Sequence, residues 1–257
     1  MNENILGQKN RVLGIGLTSG ADLTNLPALV SVLSNKTAGL SVHFVNTYNL
    51  YIYDKSSPYR EVLDQADVVF CDGFPLAKAS KLLGATNISQ VRGPDFFARS
   101  LESPHQEGIN HYFLGGSEET KKLILDRLGN LKIRVAGFEV PPFRELSEAE
   151  LDCRDQNIRK SGATVIWVGL GTPKQDFEVL RLSERHRAVV IAVGAAFDFY
   201  SGNKPQAPKA MQRIGLEWLF RLVTEPRRLW RRYFFGNSHF MAKVLVALIS
   251  KKKFGSR

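Results

Sequence analysis

Seven short apolar runs, most of them closed by a glycine or a polar turn residue, alternate along this chain with segments of helical period. The runs lie at 11–17, 41–45, 68–71, 111–114, 133–137, 165–168 and 189–193, the one at 133–137 being the weakest. Short, nearly continuous apolar runs bounded by turn signals read as strands covered on both faces. Helical patterns fall between them, at 23–33, 59–64, 76–83, 118–128, 148–160 and 175–185. Ser117 followed by Glu118 and Glu119, and Ser147 with Glu150 three residues on, mark two of the helix starts. Strict strand–helix alternation admits few architectures, and it predicts a doubly wound α/β domain. Its ligand crevice is then expected at the carboxyl ends of the strands.

Past Pro208 the character changes to helical, basic and aromatic. Residues 204–257 hold 13 Lys and Arg against 2 Asp and Glu, whereas the rest of the chain holds 22 and 23. The net charge of +10 therefore belongs to the tail. The fold class expected is α/β: a Rossmann-like, mostly parallel sheet with helices on both faces over 1–203. A basic amphipathic helical appendage over 204–257 is added to it. Such asymmetry implies an anionic partner: a membrane surface, a nucleic acid or a diphosphate. Arg227, Arg228, Arg231 and Arg232 recur at spacings that align them along a helix, beside Trp230, Tyr233, Phe234 and Phe235. The run 240–249 measures about 15 Å as a helix, too short for a hydrocarbon core of roughly 30 Å. With Lys251, Lys252 and Lys253 after it, it fits a helix lying in the interface of an anionic membrane. The alternatives are a basic helix packed on the domain and a nucleic-acid patch. Base-stacking aromatics on a sheet are not evident, which argues against nucleic acid.

Chemistry is sought at the strand ends. Asp72 follows the run 68–71 and Gly73 turns the chain, so Asp72 is either a general base or a turn carboxylate satisfying nearby N–H groups. Thr47 and Asn49 follow 41–45 and point the same way if the strand continues. They suit sugar hydroxyls or a uracil, or else cap a loop. Arg92 and Asp95 flank a Gly-Pro turn: Arg92 to grip phosphate, Asp95 to cap a helix from Phe96. In "VGLGTPKQDFE", Gly169 and Gly171 turn the chain before Pro173, Lys174 and Gln175 at a helix head, where free N–H groups would meet an anion. Lys174 replaces the third glycine of the dinucleotide fingerprint, and no P-loop Gly-Lys-Ser/Thr is present. Gly115 and Gly116 precede Ser117, and Asp198 sits between two aromatics after the run 189–193. The five histidines, 43, 105, 111, 186 and 239, form no metal-ligand spacing, so no metal is expected. Two cysteines, Cys71 and Cys153, imply no disulfide framework and fit a reducing compartment. The start "MNENILGQKNRVLGIGL" does not read as a signal peptide.

In order along the chain stand "NTYN", "DGFPLA", "VRGPDFF", "YFLGGSEET", "VGLGTPKQDFE", "VGAAFDFYSGNKPQAP" and "RIGLEWLFRLVTEPRRLWRRY". On these blocks, which run over most of its length, the chain resembles the WecG/TagA/CpsF family of bacterial glycosyltransferases. The resemblance implies an inverting, metal-independent transferase with no cofactor. It would move a sugar (N-acetylmannosamine, its uronic acid, glucose or glucuronic acid) from a UDP donor to a polyprenyl-diphosphate-linked saccharide. The work would be done in the cytoplasm, peripherally on the inner face of the plasma membrane, for cell-surface polysaccharide synthesis. Self-association is left open. Asp72 matches the family's proposed base, Thr47 and Asn49 its Thr-x-Asn pair, and Gln175 its Pro-Lys-Gln-Glu motif. Arg221, Arg228 and Arg231 match tail arginines held to approach the diphosphate, so that with Arg227 and Arg232 they are expected to meet the acceptor's diphosphate and the membrane. The chain departs at Asp176, where the motif has Glu, at Pro75, where many members have Gly, and at Gln206, where many have Arg. Two other readings compete: a Rossmann-type nucleotide-binding oxidoreductase or epimerase, and a non-enzymatic basic nucleic-acid-binding protein.

Overall fold

A computed structural model of the protein describes residues 8–19, 24–104 and 108–254, with side chains as far as Lys251. Residues 1–7 of the opening segment, Leu23, His105 and the side chains of Lys252 and Lys253 lie outside the described residues.

The first apolar run is not one strand. Its residues divide between β1 (Lys9–Val12) and β2 (Ile15–Thr18), which pair antiparallel in a separate hairpin with Val12 opposite Ile15. Leu13 and Gly14 turn the chain at φ 51° and 92°, the positive-φ geometry that twists with its flanking strands. The run conceals this turn because Leu13 is apolar, where Asn or Asp usually advertises it. Ile15 and Leu17 are buried, and Thr18 Oγ1 accepts from Val69 N at 2.9 Å.

The other six runs are strands: β3 (Leu40–Val45), β4 (Val68–Cys71), β5 (His111–Gly115), β6 (Val135–Glu139), β7 (Val165–Gly169) and β8 (Val189–Ala192). They form a parallel sheet in the order β4-β3-β8-β7-β5-β6. Edge strand β6 is only half-buried, as befits the weakest run. Helices α1 (Leu26–Ser34), α5 (Gly93–Glu102), α6 (Glu118–Asn130) and α9 (Ala196–Ser201) cover one face, packing Leu29, Phe97, Ile124 and Phe197 into one core with Val42 and Trp167. Trp167 is fully buried, edge-on to Phe97, and its Nε1 donates to His111 Nδ1 at 3.0 Å. A buried indole needs such a partner. The opposite face carries α3 (Ser57–Gln65), α7 (Glu148–Ser161) and α8 (Lys174–Arg185), with Ile158, Val179 and Leu182 against Ile166 and Val190. As read from sequence, Ser117 caps α6 and Ser147 makes a capping box with Glu150 on α7.

After Val45 the strand does not continue. Asn46 accepts from Tyr48 N and Asn49 N, and Asn49 Oδ1 accepts from Asn46 N, a capping box that starts α2 (Thr47–Lys55). Thr47 and Asn49 therefore do not share a strand face. α4 (Phe74–Leu82) follows Gly73. The chain then closes with α10 (Lys209–Arg213), α11 (Glu217–Thr224) and the 29-residue α12 (Pro226–Phe254).

α12 lies against α2. A Cβ on Gly236 would lie 3.0 Å from Tyr48 Cα, so the two backbones approach closely at this point. Along this crossing Thr47 Oγ1 donates to Asn237 Oδ1 at 2.9 Å. His239 Nε2 and Lys243 Nζ meet Asp54 Oδ2 at 2.6 and 2.7 Å, and Phe240 is buried. The outward side of α12 exposes Trp230, Phe234, Met241, Leu245 and Ile249. Among the described residues no helix is long and apolar enough to cross a membrane.

Candidate active site

The carboxyl ends of β3, β4, β7 and β8, roofed by α11 and α12, enclose a cleft of two lobes. One is walled by Thr47, Phe74, Gln90, Glu217, Trp218, Tyr233 and Asn237. The other is walled by Gly171, Gln175, Gly194, Arg228 and Arg232. Asn46, Asp72 and Arg221 belong to both. One lobe is aromatic and amide-rich, the other cationic, and Asp72 stands where they meet.

Asp72 is placed by the end of β4 and by the start of α5. Its backbone N–H donates to Val45 O at 2.8 Å, and its Oδ1 accepts from Gly93 N at 3.0 Å. Oδ2 takes no hydrogen bond among the described residues. Burial raises the Asp72 pKa above the usual carboxylate value, an effect only partly offset by the Gly93 N–H and by the nearby Arg92, Arg221 and Arg232. A carboxylate raised in this way is a stronger base than an exposed one.

The cationic lobe is built at a cost. Burial, and then repulsion from Arg221, lowers the Arg232 pKa. Arg221 stacks on Phe199, 5.3 Å from the ring centroid, and its buried Nε has no hydrogen-bond partner. A buried donor left unpaired costs about 1–3 kcal/mol. A bound anion would relieve both the repulsion and the unmet donor.

Of the residues anticipated from sequence, Asp72, Thr47, Gly171, Gln175, Arg221, Arg228 and Arg232 converge on the cleft. Others do other work. Asn49 is fully buried and donates to Tyr59 Oη at 2.7 Å. Arg92 does not reach the cleft: its guanidinium is held by Glu217 at 2.7 Å, Asp95 at 2.8 Å and Gln212 at 2.5 Å, tying α5 to α10 and α11. α5 begins at Gly93, so Asp95 lies within its first turn and does not cap it. Gly115 and Gly169 let β5 and β7 close together, since a Cβ on Gly115 would fall 2.5 Å from Gly169 O. Gly116 packs on Thr120 and Phe197. Pro173 precedes α8 outside both lobes, and Lys174 is exposed. The head of α8 is no open anion cradle, because the amides of Gln175 and Asp176 turn back to Gly171 O and Pro173 O, each at 3.0 Å. Gln175 Oε1 in turn accepts from Gly171 N at 3.1 Å. Asp198 pairs with Lys204 at 2.7 Å.

The tail arginines divide. Arg228 and Arg232, one helical turn apart, face the cationic lobe. Arg227 and Arg231 are exposed beside Trp230, Arg231 lying 5.2 Å from its ring. Sequence reasoning missed Asn46, Gln90, Gln212, Glu217, Trp218, Tyr233 and Asn237. The Asn46–Asn49 spacing is a readable capping signal, and Gln90 is held at the end of β4 by donating to Asp72 O at 2.7 Å, whereas the others come together only through the docking of α10, α11 and α12. Among the described residues no three His, Cys, Asp or Glu side chains are grouped so as to hold a metal ion, and Cys71 and Cys153 are both free.

The N-acetylglucosaminyldiphosphoundecaprenol N-acetyl-beta-D-mannosaminyltransferase of Bacillus spizizenii is 32% identical over 177 residues, a match covering 68% of this chain and 66% of that relative. The model of the glycosyl transferase WecG/TagA/CpsF family matches residues 11–254, so that it takes in β3 to β8, Asp72 and both lobes. The chain belongs to the glycosyl transferase WecG/TagA/CpsF family.

Proposed function

We propose that the protein transfers a sugar from a UDP donor to a polyprenyl-diphosphate-linked saccharide, with inversion and without a metal. The observation that carries this reading is Asp72 at the junction of a cationic and an aromatic lobe. The cationic lobe, through Arg221, Arg228 and Arg232, receives the diphosphate of the donor. Trp218, Tyr233 and the neighbouring amides receive the acceptor sugar, whose ring faces suit aromatic walls and whose hydroxyls suit amides. The acceptor hydroxyl attacks the anomeric carbon as the bond to UDP breaks, and its proton passes to Asp72. Guanidinium groups stabilise the charge that grows on the leaving diphosphate. The relative's name puts N-acetylmannosamine first among sugars to try and N-acetylglucosaminyl-diphosphate-prenol first among acceptors. The outward face of α12 would rest on an anionic membrane surface at the inner leaflet.

The test is a panel of UDP-sugars with a soluble prenyl-diphosphate-linked acceptor, with and without EDTA. Wild-type turnover is expected to survive EDTA. Asp72→Asn is expected to keep donor binding and to lose about 10²–10⁴-fold in turnover. Wild-type rates in Asp72→Asn would sink the base assignment.

A further inference from the structure

Beneath the cleft, four polar side chains with no measurable exposure form one hydrogen-bonded chain. His43 Nδ1 lies 3.0 Å from Asp176 Oδ1. Tyr59 Oη donates to Asp176 Oδ2 at 3.1 Å, and Asn49 Nδ2 meets Tyr59 Oη at 2.7 Å. The four come from β3, α8, α3 and α2, elements far apart in sequence. None of them lines either lobe. Burying this much polarity is expensive, and apolar side chains of similar shape would hold the same helices more cheaply. His43 Nε2 finds no partner among the described residues, but the links from Asp176 through Tyr59 to Asn49 are all made, and a connected buried network of this kind fixes one geometry.

The ends of the chain show which geometry is fixed. At one end Asn49 Oδ1 accepts from Asn46 N at 3.1 Å, and Asn46 is a wall of both lobes. Toward the other end, Asp176, which His43 also holds, adjoins Gln175, whose Oε1 accepts from Gly171 N on the far wall of the cationic lobe. Asn49, Tyr59 and Asp176 thus span, under the floor, the two sides between which a diphosphate would sit.

We propose that Asp176, with Tyr59 and Asn49, is a positioning device that sets the Gly171–Gln175 wall against Asn46 and so tunes the fit of the phosphate-bearing donor. This deepens the function proposed above and rests on it for the identity of the donor. The experiment uses the full chain carrying Tyr59→Phe, which deletes only the bridging hydroxyl, or Asp176→Asn. UDP affinity is measured by calorimetry, and transfer by steady-state rates across pH.

Both variants are expected to melt cooperatively. Each is expected to weaken UDP binding and raise donor KM at least fivefold, with kcat within twofold and an unmoved acid limb, because Asp72 is untouched. A merely structural role would lower the melting temperature and leave KM alone. Unchanged KM and UDP affinity in both folded variants overturn the proposal. A readout without substrate is hydrogen exchange at the Gly171 amide, expected to speed up at least tenfold in both variants. An unchanged rate there overturns the positioning whatever the donor is. A wild-type chain that binds no UDP would instead sink the reading of the donor, and the Gly171 amide would still decide the positioning.

Discussion

At the scale of the residue, Asp72 carries opposing demands. Its pKa is raised chiefly by burial, so the ionised carboxylate is harder to accommodate in the folded chain than in the unfolded one. The folded state binds the proton more tightly. Its contribution to stability is therefore present at low pH and is lost as pH rises through the folded pKa. At neutral pH an ionised Asp72 costs stability, and Asp72→Asn, which keeps an oxygen for Gly93 N–H, removes that cost. We expect Asp72→Asn to melt at or above the wild-type temperature at pH 7 while being inactive. The wild-type rate should fall on the acid side through a pKa above the ordinary carboxylate range. Calorimetric melts and a pH–rate profile check the two signs. A lower melting temperature for Asp72→Asn would show that the carboxylate is not strained in this way.

Elements explain what was legible in the sequence. Six of the seven apolar runs became strands of the sheet because a buried parallel strand must be apolar on both faces. The seventh hid the Leu13–Gly14 turn, and α2 was missed because its start signal is an Asn–Asn box and not the more familiar Ser/Thr–Glu pair. The cleft was legible where one element supplies its own chemistry, as at Asp72, Thr47, Gln175 and the tail arginines. Arg92 shows the limit. Local spacing could not reveal that Glu217, 125 residues away, would claim its guanidinium. Gly236 offers a test at this scale. At 3.0–3.3 Å from Tyr48, a methyl group is tolerated only if α2 or α12 yields slightly, and helix propensity favours alanine by about 1 kcal/mol. Gly236→Ala is expected near neutral. Gly236→Leu should lose about 1–3 kcal/mol by overpacking and open the α12 crossing to limited proteolysis while the sheet keeps its protection. Equal protection in Gly236→Leu would mean that the crossing is not tightly packed.

For the molecule as a whole, α12 presents two different sides. Inward it supplies Arg228, Arg232, Tyr233 and Asn237 to the cleft, and outward it exposes Trp230, Phe234, Met241, Leu245 and Ile249. Burying this outer row in a lipid interface is favourable at roughly 25 cal/mol per Å² of apolar area, and Arg227, Arg231 and Lys251 add attraction to anionic headgroups. Vesicles containing phosphatidylglycerol are expected to float the protein. A Trp230→Glu/Phe234→Glu/Ile249→Glu variant should stay behind and retain turnover on a short-chain soluble acceptor. Flotation of that variant would exclude the outer row from the contact. The inward side has a practical consequence for anyone trimming the chain. A version ending before Pro226 keeps the six-stranded sheet, Asp72 and Arg221, yet gives up four wall residues at one stroke. Crystals or ligand screens built on such a fragment would report an incomplete site, and compounds chosen there would meet a different surface in the 257-residue chain.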